Sequence, residues 1–121
     1  MSKILLALIS FFFIFSGKAK GQTELGAKTF HWEIRRGIAV VEFWAGWNRG
    51  NEILFLHELN NCKVFRHVIR RDRTLLDEYN VTAVPTIIVF KNGYEEFRFA
   101  PNIMLKVTAT KDQVQSAIDD L

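Results

Sequence analysis

Seven consecutive residues, Ile38-Ala39-Val40-Val41-Glu42-Phe43-Trp44, are β-branched, aromatic or small with a single carboxylate among them, and this run restricts the possible folds more than any other stretch. A strand with apolar side chains on both faces must be covered on both faces, so it belongs in the interior of a sheet with other elements above and below. Glu42 then sits inside a covered strand, where a carboxylate needs a partner or must become neutral.

The rest of the chain supplies the covering elements. From Thr29 to Ile34, Phe30, Trp32 and Ile34 alternate with polar residues, which suggests an entry strand or, alternatively, the start of a short helix. Asn48 to Leu59 carries Ile53, Leu54, Leu56 and Leu59 and predicts a helix ended by Asn60-Asn61. Val64 to Ile69 predicts a second buried strand, and Thr74 to Tyr79 a short helix stopped at Asn80. Two further strands, Thr86 to Lys91 and Tyr94 to Phe99, flank Asn92-Gly93, a strong signal for a two-residue hairpin. Thr110-x-x-Gln113 is a capping box, and Val114, Ala117, Ile118 and Leu121 share one face of the helix it starts. This order predicts an α/β fold, a central mixed β-sheet flanked by helices on both faces, in one domain.

The N-terminus reads as an export signal rather than as part of that domain. Met1-Ser2-Lys3 is a short basic start, Ile4 to Phe15 is apolar, and Ser16 to Gly21 is small and polar, with Ala19 and Gly21 placing cleavage before Gln22. The expected division is a secretory signal over 1–21 and a folded domain over 22–121, exported to the periplasm or the cell exterior. The apolar run is shorter than the roughly 20 residues a membrane span needs; the alternative is an uncleaved anchor. The chain's 16 basic residues lose Lys3, Lys18 and Lys20 with the signal, leaving 13 against 13 acidic ones. That balance gives no composition argument for nucleic acid or for a membrane surface after cleavage. Cys62 is the only cysteine, so no internal disulfide can form; it is either a buried, inert thiol or one open to an intermolecular bond.

Four segments together carry a family resemblance: Val40-Val41-Glu42-Phe43-Trp44-Ala45-x-Trp47 with Asn48 six residues after the acid, then Asn51, then Tyr79-Asn80-Val81-Thr82-Ala83-Val84-Pro85-Thr86, then Phe90-Lys91-Asn92-Gly93. In order and spacing they resemble the thioredoxin family over most of residues 22–121. The resemblance implies a thioredoxin-like fold, with Asn48 and Asn51 where the family has its two redox cysteines and Arg49-Gly50 between them. An amide is neither a nucleophile nor a leaving group, so no catalytic residue is expected and the dithiol chemistry is lost. Asn48 falls at the family's helix start, where asparagine is a good N-cap, about 1 kcal/mol better than alanine. The alternative role for Asn48 and Asn51 is hydrogen-bond recognition of a ligand.

By the same resemblance Glu42 matches the family's buried acid, and Arg66 on the neighbouring strand is expected to pair with it. Pro85 matches the cis-proline, beside which the backbone of Val84 would pair with an extended peptide. Trp44, Trp47, Val84 and Pro85 are the expected binding groove, with Arg49 as a charged arm. The segment Pro101 to Ala109 is longer than the family's last connection, and residues 102–105 have no assigned counterpart. His57, Cys62 and His67 would have to converge from three elements to bind a metal, so no metal and no cofactor are expected. Arg66, Arg70, Arg71 and Arg73 form a basic run, a solvated strand end or a dock for an acidic partner surface. Phe97, Phe99, Ile103 and Met104 are core residues or a partner surface. The expected function is a peptide- or protein-binding module without a redox-active disulfide; the competing one is a thiol-disulfide oxidoreductase relying on Cys62.

Overall fold

The computed structural model describes residues 23–121; the expected signal over 1–21 lies outside them. Five strands form one sheet in the order β1-β3-β2-β4-β5: β1 Thr23–Glu24, β2 Ile38–Trp44, β3 Lys63–Val68, β4 Thr86–Lys91 and β5 Tyr94–Phe99. β1, β3 and β2 are parallel, and β4 and β5 are antiparallel to their neighbours. The doubly apolar run is β2, at the centre of the sheet.

Alternation along β2 divides the core into two layers. Ala39, Val41 and Phe43 pack with Phe65, Ile88 and Phe90 beneath α1 Phe30–Ile34 and α2 Thr74–Glu78. Val40 packs with Ile87 and Val89 against Ile53, Leu56 and α3 Lys111–Asp119. Helices therefore cover both faces, the expected architecture. The capping box of α3 is complete, Thr110 Oγ1 accepting from the Gln113 amide and Gln113 Oε1 accepting from the Thr110 amide. The β4–β5 hairpin turns on Asn92 (φ 51°) and Gly93 (φ 88°), both left-handed as a type I′ turn requires.

Two local expectations resolve differently. Of the alternatives for 29–34, the helix forms: Phe30 and Ile34 are buried four residues apart, while Trp32 is exposed under the Arg35 guanidinium at 4.2 Å. The helix expected over Asn48 to Leu59 does not form. Two single 3₁₀ turns, Gly46–Asn48 and Leu56–Glu58, replace it. Gly50 takes φ 89°, outside any right-handed helix, and the Ile53 amide donates to the Glu42 carboxylate instead of to a carbonyl of its own turn. Burial of Ile53, Leu56 and Leu59, three residues apart, is satisfied without a continuous helix.

Candidate functional site

The site lies where β2 ends and β4 begins. After Trp44, the chain tightens into the 3₁₀ turn that sets Asn48, 6% exposed, under the segment preceding β4. Asn48 Nδ2 donates to Val84 O at 3.0 Å and to Leu105 O at 3.3 Å, and Asn48 Oδ1 accepts from Asn51 Nδ2 at 2.9 Å. Both ends of the amide are thereby engaged within the chain. Asn48 is not a helix cap, since no helix follows it; its side chain is a three-way clamp between the turn, the Val84-Pro85 segment and the residue 101–109 loop.

Val84 and Pro85 are buried and joined by a cis peptide bond. Val84 O accepts one hydrogen bond from Asn48 Nδ2, and a carbonyl oxygen has a second lone pair to offer. Arg49 is exposed, and the Gly50 amide donates to Glu52 Oε2 at 2.6 Å. Hydrogen bonds from the backbone amides of Glu52 and Gly50 hold the Glu52 carboxyl below the usual carboxylate range.

A cleft of about 160 Å³ opens beside this clamp, walled by Trp47, Leu76, Ala83, Val84 and Leu105 with Arg73 at its edge. Trp47 is 70% exposed. Trp44 is not part of the cleft: even-numbered residues of β2 face the opposite core layer, where the Arg66 guanidinium lies 4.9 Å over its ring. Its indole Nε1 is buried without a hydrogen-bond partner among the described residues. Of the groove residues expected from the sequence, Trp47 and Val84 thus come together, Pro85 lies beneath, and Trp44 stands apart.

Glu42 is wholly buried and tied to two elements, accepting from Arg66 Nε at 3.0 Å and from the Ile53 amide at 3.0 Å. The register that pairs Glu42 with Arg66 across β2 and β3 puts the two side chains on one face. Cys62 precedes β3 at the far end of the sheet from Asn48, half-buried against the second core layer, and burial pushes its thiol up to about 11. His67 belongs to the other layer, its Nδ1–H donating to Leu25 O at 2.8 Å, and His57 is exposed; Cys62 and His67 point to opposite faces.

Four of the cleft residues named above, Arg73, Leu76, Ala83 and Leu105, are not among the groove residues expected from the sequence. Arg73 was visible as one of a basic run. Leu105 was visible only as part of an unassigned insertion; it adopts φ 59°, and no residue pattern announces that a leucine will take a left-handed conformation. The resulting arrangement has apolar walls, one cation at the edge and a bonded amide floor. Neither amide of the clamp, Asn48 or Asn51, is a nucleophile.

No protein-family model and no curated protein matches the chain. Solved structures do. A chain from work on the thiol resolving mechanism in yeast mitochondrial 1-Cys peroxiredoxin via glutathione/thioredoxin systems superposes with a TM-score of 0.63 at 19% identity, covering 84% of this chain and 96% of that one. Malassezia sympodialis thioredoxin, a member of a pan-allergen family, gives 0.61 at 18% identity over 84% and 90% of the two chains. A mutant thioredoxin from Halobacterium salinarum gives 0.62 at 17% over 81% and 89%. The fold is thioredoxin-like.

Proposed function

We propose that this chain is an exported, non-enzymatic thioredoxin-fold module that binds an extended peptide or a protein partner at the cleft beside Trp47. The observation that carries the reading is the Asn48 clamp: the position at which the fold's chemistry would reside holds an amide fully bonded to Val84, Leu105 and Asn51. Val84 O holds one hydrogen bond from Asn48 and can accept a second from an extended peptide, and side-chain contacts in the cleft add to that recognition. Export rests on the composition of residues 1–21; no helix among the described residues is long and apolar enough to cross a membrane.

The competing reading makes Cys62 a working thiol. With its titration pushed to about 11, only about one molecule in ten thousand carries a thiolate at pH 7, and the thiolate is the attacking form. Reduction of insulin by dithiothreitol separates the two. The purified protein is expected to give no turnover above background, and Trp47→Ala is expected to weaken capture of envelope proteins. Turnover abolished by Cys62→Ser would instead establish the oxidoreductase.

A further inference from the structure

The residue 101–109 loop gives the cleft a feature of its own. Residues 102–106 close on themselves: the Asn102 amide donates to Lys106 O at 2.8 Å, Leu105 N donates to Asn102 O at 2.9 Å, and Asn102 Oδ1 accepts from the amides of Met104 at 2.9 Å and Lys106 at 3.1 Å. The Asn48 contact to Leu105 O fastens this knot to the cleft wall. At its apex Ile103 is 98% exposed and Met104 70%. Their exposure is imposed by backbone bonds that turn them away from the core, and polar side chains would serve a solvent loop equally well. Across the cleft stands Trp47, also 70% exposed, and Leu54, 75% exposed, lines the hollow on the other side of the loop together with Lys106 and Val107. Four of the six large apolar side chains that the described residues expose are therefore gathered around one loop.

Two cations line the hollows beside this loop, Arg73 in the cleft and Lys106 in the hollow beyond it. Both are exposed, and neither makes a side-chain hydrogen bond or ion pair within the described residues. Glu52 and Asp72 accept from the amides of Gly50 and Thr74 and stay ionised, and the charge of Arg49 helps hold Glu52 in that form. Of the basic run, Arg66 and Arg70 are taken by Glu42 and Glu24.

We infer that the Ile103–Met104 knuckle and Trp47 form an apolar dock, rimmed by Arg73 and Lys106, for an extended acidic segment of another protein whose apolar side chains are interspersed with carboxylates. The apolar side chains enter the cleft between Trp47 and Leu105 and cover Ile103 and Met104, while the carboxylates meet cations that have no partner of their own. The inference rests on the binding reading above and adds the ligand class and the loop as its determinant.

Fluorescence anisotropy tests it, with three synthetic fluorescein-labelled peptides in which Leu and Phe alternate with Asp, with Lys or with Ser. The Asp peptide is expected to bind at least about tenfold more tightly than the Lys peptide, with affinity falling as salt rises. Ile103→Ser/Met104→Ser is expected to cost about tenfold or more, the loss typical of a central contact, and Arg73→Glu/Lys106→Glu to remove the preference for Asp. All four side chains are exposed, so the variants keep the fold, which unchanged near-ultraviolet circular dichroism verifies. Equal binding of all three peptides that still requires Trp47 would overturn this inference and leave the binding module standing. No binding of any peptide would overturn both. Concentration-dependent dimerisation lost in Ile103→Ser/Met104→Ser would assign the surface to a second copy of the chain and overturn the acidic partner.

Discussion

Glu42 is a carboxylate with no exposed surface on the central strand. Its position follows from the cross-strand register, which sets Arg66 opposite it, and from the segment after β2, which delivers the Ile53 amide to its other oxygen. Removing one partner of a buried charge leaves the other uncompensated, and such losses run to about 3–5 kcal/mol. Arg66→Leu is accordingly expected to destabilise the fold by on the order of 3 kcal/mol in urea unfolding, and Glu42→Gln/Arg66→Leu to recover much of that loss. No change on Arg66→Leu would mean the ion pair contributes nothing to stability. Arg66 also covers Trp44, so its loss exposes an indole whose N–H is already unpartnered.

The segment from Gly46 to Glu58 is where residue preference and tertiary context disagree most. An unbroken helix beginning at residue 48 would align backbone amides toward that side chain and lower the titration of a thiol placed there. The 3₁₀ turn here ends at Asn48, and Gly50 reverses the chain, so no such stack exists. Restoring sulfur therefore does not restore the chemistry: in Asn48→Cys/Asn51→Cys, the first thiol is expected to titrate at or above the free-cysteine value of about 8.5. Thiolate absorbance against pH checks this, and a value near 7 would show that the two cysteines had reorganised the segment into a helix.

Across the whole molecule, each core layer holds one group kept in its neutral form by burial. Tyr79 packs on the layer beneath α1 and α2 and is pushed up to about 12, chiefly by burial and next by the charge of Glu78; Cys62 packs on the opposite layer and is pushed up to about 11 by burial. In both cases the folded state holds its proton to higher pH than the unfolded chain, so it binds more protons through that interval and stability falls as pH rises. The stability is complete below about pH 8.5, where an unfolded cysteine begins to ionise, and is lost progressively toward 11. Urea midpoints measured from pH 8 to 11 are expected to fall less steeply in Cys62→Ala than in the wild type. Parallel slopes would place the thiol in water.

Strands β2 to β5, the hairpin, the capped last helix and the covering of both sheet faces were legible along the chain, because each depends on side-chain alternation, turn chemistry or capping within a few residues; the two-residue β1 was not, since it is a strand only through its pairing with β3. The pairing of Glu42 with Arg66 was legible once two strands lay side by side, since parallel neighbours bring matched positions to one face. What tertiary structure alone decided is the fate of residues 46–59 and of the 101–109 loop. There the bonds that matter, Ile53 to Glu42, Asn48 to Val84 and Asn48 to Leu105, join residues 11, 36 and 57 positions apart. A residue's own preference for helix amounts to a few tenths of a kcal/mol up to about 1 kcal/mol for glycine, and satisfying a buried carboxylate outweighs it.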